Sequence, residues 1–391
     1  MSVQGRISWS NLQGHHPALA LYVPGGVAMR NGPANAPFVS INFGAAGIAY
    51  AIYRLARARG EHQLLALANE WVQKAFALSS QPKAYDDPDL GITPEAVGQA
   101  SLFHSVCGLY CVHAFVRIAL GDVDGAARAI EAFIERSRVP CAGPDLTIGA
   151  ASLLLGCAEL VESADASSLL DLSPLRKRGD EIADVLCEVL ESEPIATSTR
   201  IRFLGIAHGW AGLVFALLRW KRATGRDVPL LAVKLDELAE LAIPYDGGVC
   251  WTMLNDSLSL MPGWCHGAAG HAMLFALAHE TLHVPKHADL AERAAASAWN
   301  IETPHGSLCC GNGGNGYAFL AAYRLTGARV WLERARVAAR RASADTSTLI
   351  FRDSLYKGAL GVAVLASELD SPATAAMPLF EPVRFNNAVT Q

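Results

Sequence analysis

The stretch GWCHGAAGHAMLFALA (residues 263–278) decides how this 391-residue chain folds. It sets Cys265 and His266 directly before Gly267 and Gly270, and the small-residue pair then leads into an apolar run of helix length. Glycines spaced by three at a helix start allow close approach of a neighbouring backbone and leave amide N–H groups open at the terminus. The same grammar returns in SLCCGNGGNGYAFLAAYRL (residues 307–325), where Cys309 and Cys310 precede Gly311.

Working outward, G-x-x-G or a near variant followed by an apolar run recurs along the chain: GAAG at Gly44, SVCG at Ser105, GAAS at Gly149, GWAG at Gly209, GAAG at Gly267, GNGG at Gly311 and GALG at Gly358. Successive starts lie 61, 44, 60, 58, 44 and 47 residues apart. Each interval has room for a helix, a connection and a second helix running back. AGIAYAIYRLARARG, AGLVFALLRWKRATG and NGYAFLAAYRLTGARV are apolar nearly all round, as buried helices are, and end in basic residues and Gly. The intervening HQLLALANEWVQKAFAL, DGAARAIEAFIERSR, LRKRGDEIADVLCEVLES and VWLERARVAARRAS are amphipathic and belong to an outer layer. Strand signals are few. The expected fold is all-α, an α/α toroid (barrel) of seven inner and seven outer helices. It forms one domain over residues 1–391, with an N-terminal extension over 1–37, a loop around YDDPDLGITPE and an irregular tail over 381–391.

With 51% hydrophobic and 18% charged residues, the chain can bury a sizeable core. Its net charge of −5 and the lack of a Lys/Arg cluster exclude an electrostatic grip on nucleic acid. The N-terminus has no stretch fit for a signal peptide, and no uncharged apolar run reaches transmembrane length. Nine cysteines is an odd number, and Cys107, Cys111, Cys157 and Cys187 sit in apolar runs, a pattern of buried thiols in a reducing cytoplasm.

If the inner helices run the same way, their N-terminal ends converge on one pole, where helix dipoles favour anions and thiolates. The residues just before each element then line that pole: Phe43, His104, Ile148, His208, His266, Cys310 and Lys357. Phe43 and Ile148 are packing residues. Cys265, Cys309 and Cys310 occupy equivalent slots in adjacent units, so the repeat brings them together. Three thiolates with an open fourth position make a catalytic rather than a structural zinc site; the competing reading is buried structural thiols.

GWCHG, CCGNGG and the upstream HGWAG resemble the signature motifs of the lanthionine synthetase cyclase (LanC-like) family, and the resemblance extends over nearly the whole chain. It implies a family toroid of seven inner and seven outer helices and one catalytic Zn²⁺. By that similarity Cys265 and Cys309 match the zinc cysteines, and Cys310 stands where the family usually has a histidine ligand. His208 matches the active-site histidine, and Asp145, in DLTIG, the aspartate that works with it. Several standalone cyclases carry an arginine four residues before the first zinc cysteine, where this chain has Met261. The implied activity is zinc-dependent C–S bond formation. A peptide cysteine thiol adds to dehydroalanine or dehydrobutyrine, with His208 as general acid and His266 in reserve. The implied partners are a dehydrated precursor peptide and a separate dehydratase or kinase/lyase. Within the family the rival is addition of glutathione or another free thiol to dehydroamino acids in proteins.

Two further patterns compete for chemistry. HETLH, from His279 to His283, fits the HExxH zinc-hydrolase pattern with Glu280 as base, although it falls at a helix end just before Pro285. The G-x-G-x-x-G run from Gly311 to Gly316 follows a Cys pair rather than a strand, which argues against a dinucleotide site. A catalytically silent toroid used as a binding scaffold is the reading of another class.

Overall fold

Each G-x-x-G element opens a helix. The computed structural model describes residues 17–164, 169–303, 305–344 and 351–381. Its helices come in pairs: α1 (Ala45–Arg59) with α2 (His62–Leu78), α3 (Val106–Ala119) with α4 (Val123–Arg136), and α5 (Ala150–Ala164) with α6 (Ser173–Ser192). Then follow α7 (Trp210–Thr224) with α8 (Leu231–Glu240), α9 (Ala268–Leu282) with α10 (Pro285–Asn300), α11 (Asn312–Thr326) with α12 (Arg329–Ala344), and α13 (Ala359–Glu368). The odd-numbered helices are buried almost without interruption, as every residue of α7 from Trp210 to Trp220 shows. The even-numbered ones bury one stripe, such as Ala126, Ala129, Ile130 and Phe133 of α4.

The inner helices touch in chain order, and α13 returns to α1, so the ring closes. Close approach explains the glycines. A Cβ on Gly212 would lie 2.0 Å from the Ile206 carbonyl oxygen, and one on Gly361 would lie 2.0 Å from that of Leu355. Backbone bonds between successive lead-ins knit the pole: Asn42 N donates to Phe103 O, Ala207 N to Cys265 O, Cys265 N to Cys309 O, Cys309 N to Tyr356 O, and Leu355 N back to Asn42 O. Basic last turns followed by a left-handed Gly end α1, α7 and α11, as the sequence predicts.

The expected seventh outer helix is not among the described residues, where six are present. After α13 the chain forms turns over 370–381, so the irregular tail begins well before Glu381. Pro372 and Pro378 disfavour a helix there. This segment turns inward and fills the axis of the ring. Met377, Leu379 and Phe380 are fully buried, and the Phe380 ring packs on Trp264 (4.4 Å between centroids), Phe103 (5.0 Å) and Tyr356 (5.6 Å). The remainder of the expected tail, 382–391, and residues 1–16 of the expected N-terminal extension lie outside the described residues.

A buried irregular backbone needs partners for its polar groups. The inner helices supply them: Arg54 donates to Ala376 O, Arg219 to Phe380 O, Arg324 to Ala375 O, and Tyr356 Oη to Pro378 O at 2.8 Å. The arginine charges are met in turn by Glu368, by Glu159 and Glu162, and by Glu381. Glu368 also accepts from Tyr317 Oη (3.0 Å) and the Ala376 amide (3.3 Å), so one carboxylate ties α1, α11, α13 and the axial segment together.

The described strands are β1 (Ile243–Tyr245) and β2 (Gly248–Cys250), an antiparallel hairpin with Ile243 opposite Cys250. The chain then runs through 251–263 across the pole to the Cys265 lead-in.

Glu368→Ala strips the buried Arg54 of its counter-charge, and removing one partner of such a pair costs about 3–5 kcal/mol. A matching drop in the urea-unfolding midpoint is expected; a variant as stable as the parent would show that the axial segment does not hold the ring closed.

Candidate metal centre

The lead-ins to α9 and α11 lie side by side because Trp264 N and Cys265 N both donate to Cys309 O at 3.1 Å. Gly263 lets them meet. Its φ of +87° suits glycine, and a Cβ there would sit 2.8 Å from the Cys310 backbone. The Cys310 sulfur is then 3.5 Å from that of Cys265 and 3.4 Å from that of Cys309, and all three lie within 4.8 Å of one another. Among the described residues no fourth His, Cys, Asp or Glu joins this group.

All nine cysteines are free thiols. Cys265 and Cys309, both within sulfur hydrogen-bonding range, hold the Cys310 thiol well below its ordinary value, and the Lys357 charge acts the same way. Zn–S bonds of about 2.3 Å in a tetrahedron put sulfurs about 3.8 Å apart, so the cluster is close to metal-binding geometry. Three soft donors with no fourth side chain fit a zinc ion that keeps one position for an exogenous ligand.

His208 opens the neighbouring unit. Its Nδ1 is 3.0 Å from Asp145 Oδ2 and 3.1 Å from Thr147 Oγ1, which leaves Nε2 as its free ring nitrogen. Asp145 Oδ1 accepts from the amides of Thr147 (2.7 Å) and Ile148 (2.9 Å) and from Thr147 Oγ1 (2.9 Å), so the carboxylate is locked in a local turn. Burial raises the Asp145 carboxyl, but the His208 hydrogen bond and charge and these two amides outweigh it, holding it below the usual carboxylate value. The His266 ring packs at a tilt against Phe203 (5.1 Å between centroids) and His208 (5.7 Å). Burial, reinforced by the His208 charge, holds its imidazole at about 4, so it is neutral at neutral pH.

A cavity of about 500 Å³ opens at this pole. Every unit contributes to it, through Phe43, His104, Ile148, His208, Trp264, Cys309 and Lys357, as parallel inner helices require. His104 is held at about 4 by burial and by the Lys357 charge, and its Nε2 lies 3.4 Å from Asn42 Nδ2. Lys357 is exposed, with Nζ 6.0 Å above the Phe43 ring. A second cavity, of about 400 Å³, lies on the other side of His208 against Asp145, Phe203 and Leu254. Met261 lies at the surface, 36% exposed.

HETLH does not form a zinc-hydrolase site. The helix ends at Leu282, and His283 caps it in a left-handed conformation (φ +56°). The His279 Nδ1 faces Val284 O at 3.1 Å, and Glu280 pairs with Arg222. Among the described residues no strand leads directly into Gly311 either. Sequence reasoning passed over Thr147, Phe203 and Phe380. Thr147 was readable from the D-x-T spacing of a side-chain-capped turn, whereas Phe203 and Phe380 reach the pole only through tertiary packing. Among the described residues no helix is long and apolar enough to cross a membrane.

A family model described as "Lanthionine synthetase C-like protein" matches residues 39–381. LanC-like protein GCL1 of Arabidopsis thaliana is 32% identical over 193 residues, covering 46% of this chain and 43% of that protein. Glutathione S-transferase LANCL1 of Danio rerio is 28% identical over 188 residues, covering 46% of this chain and 46% of that one. The match thus spans under half the length of these curated relatives. The solved structure of nisin cyclase aligns over 86% of this chain and 90% of its own with a TM-score of 0.65, at 14% identity, a likeness of fold. With its repeat closed into a helical toroid and the family model covering nearly all of it, the chain belongs to the lanthionine synthetase C-like family.

Proposed function

We propose that the protein is a zinc-dependent lanthionine synthetase, a cyclase whose catalytic domain is the whole of residues 1–391. It joins a peptide cysteine thiol to a dehydroalanine or dehydrobutyrine of the same dehydrated peptide. One observation carries the reading: Cys309 of the three-sulfur cluster and a carboxylate-backed histidine, His208, line a single cavity. A separate dehydratase or kinase/lyase would supply the substrate. Nine unpaired cysteines suit the reducing cytoplasm this chemistry needs.

Zinc held by Cys265, Cys309 and Cys310 would supply the Lewis acidity that keeps an incoming thiol ionised at neutral pH. As the thiolate attacks the β-carbon, a C–S bond forms and the Cα=Cβ π bond breaks, its electron pair moving onto the carbonyl oxygen as an enolate. Lys357 is the cavity cation placed to offset that charge. His208 then protonates the α-carbon through Nε2, while Asp145 at Nδ1 orients the ring and stabilises the imidazolium. The thiol gives one proton to solvent, the α-carbon gains one from His208, and His208 regains one from solvent, so the product has the mass of the substrate and the enzyme is restored. His266, neutral at neutral pH, carries no imidazolium proton to give.

The Danio rerio relative, a glutathione S-transferase by name, favours a second reading, transfer of a free thiol such as glutathione to a dehydroamino acid. The same residues would serve it. Alkylation of a dehydrated peptide with one cysteine separates the two. Ring closure blocks the thiol at unchanged mass, whereas free-thiol addition raises the mass and leaves the cysteine alkylatable. Cyclisation is the expected result, and a thiol that stays alkylatable at every protein concentration excludes it.

Two further outcomes are expected. Cys309→Ala loses its bound zinc while His279→Ala keeps it, as measured by metal analysis of the purified proteins; the reverse pattern would move the metal to HETLH. His208→Asn slows cyclisation by roughly 10²–10⁴-fold at unchanged zinc content, and Asp145→Asn shifts it the same way.

A further inference from the structure

His208 and Ile148 form the partition between two cavities, of about 500 and 400 Å³. The sulfur side is unique to the larger one, which Cys309, Trp264 and Lys357 line. Asp145 and an apolar wall of Ile201, Phe203, Leu213 and Leu254 belong to the smaller. His208 is 41% exposed at its side chain and borders both spaces.

The apolar wall is built, not left over. Its two strands of chain are cross-linked by Leu204 N to Met253 O (3.1 Å) and Asn255 N to Arg202 O (2.9 Å). Asn255 Nδ2 then anchors them to Ser198 O (2.8 Å) and Ile195 O (3.0 Å), and Trp210 Nε1 donates to Ile201 O at 2.8 Å. Arg200 and Arg202 also line this cavity, and the Arg202 guanidinium is paired with both carboxylate oxygens of Asp256. A rigid wall that keeps Phe203 37% exposed beside the proton donor is pre-organised for an apolar ligand.

We propose that the smaller cavity is an acceptor subsite, which takes the apolar residue flanking the dehydroamino acid while the thiol-bearing segment occupies the larger cavity. This rests on the cyclase reading. Thiol and acceptor must meet with the α-carbon within hydrogen-bond reach of His208 and the β-carbon on the sulfur side. Two segments of one peptide reach that point from opposite sides of the partition. The subsite thereby selects the sequence around the dehydro residue and not the sequence around the cysteine.

Binding, not turnover, tests it. The acceptor probe is a fluorescent peptide with dehydroalanine next to leucine and no cysteine; the donor probe has cysteine and no dehydro residue. The zinc-loaded protein is expected to bind the acceptor probe at least tenfold more tightly than the same peptide with glycine for leucine. Leu254→Trp, which fills the cavity, is expected to erase that preference while donor binding and zinc content stay unchanged. Leu254→Ala, the variant least disruptive to folding, is expected to weaken acceptor binding several-fold. Equal affinity for the leucine and glycine probes, or wild-type affinity in both variants, would overturn the subsite. Failure of the wild type to cyclise a linked peptide would instead sink the cyclase reading, and the binding preference can be read regardless of it.

Discussion

Burial of an irregular chain segment on the axis of the ring is the constraint on which the rest depends. Seven inner helices around one axis leave a central channel that must be filled. The segment 370–381 fills it and brings polar backbone groups into the core. Arg54, Arg219 and Arg324 answer those carbonyls, and Glu368, Glu159, Glu162 and Glu381 answer the arginines. Every charge is met by another, which is the condition for keeping ions out of water. Because Phe380 ends this segment against Trp264 and Tyr356, the same plug is the floor of the polar cavity.

The two poles therefore have different chemistry. At one, helix C-termini and the plug form an ionic core of three arginines and four glutamates. At the other, helix N-termini and lead-in loops surround a cavity lined by Cys309 of the sulfur cluster, by His208 on its carboxylate, and by Lys357. The positive ends of α9 and α11 point at the sulfur cluster, which favours ionised sulfur before any metal is considered. Parallel inner helices produce this polarity, so the site's location follows from the repeat rather than from any single residue.

Much of this was legible. Gly-x-x-Gly spacing, all-round apolar helices and basic C-terminal turns locate seven inner helices, and equivalent slots place Cys265 beside Cys309 and Cys310. One signal of the same kind went unread. Ten residues past the start of the element stand Arg54, Glu159, Arg219 and Glu368, in units one, three, four and seven. Opposite charges at one offset inside apolar helices of neighbouring units mark buried pairs across the ring, as Arg54–Glu368 and Arg219–Glu159 are. The toroid itself was legible; among the described residues the segment after α13 fills the axis rather than forming a seventh outer helix.

What the sequence by itself determined is periodic: helix positions, their polarity, and which residues share a pole. These follow from local hydrophobic spacing and from glycine's lack of a side chain, both readable along the chain. Only the tertiary structure decided what is not periodic. It turned 370–381 into an axial plug, placed Phe203 on His266, and divided the pole into two cavities at His208. Such contacts join segments tens to hundreds of residues apart, and their distances are set by ring closure, which no local pattern encodes.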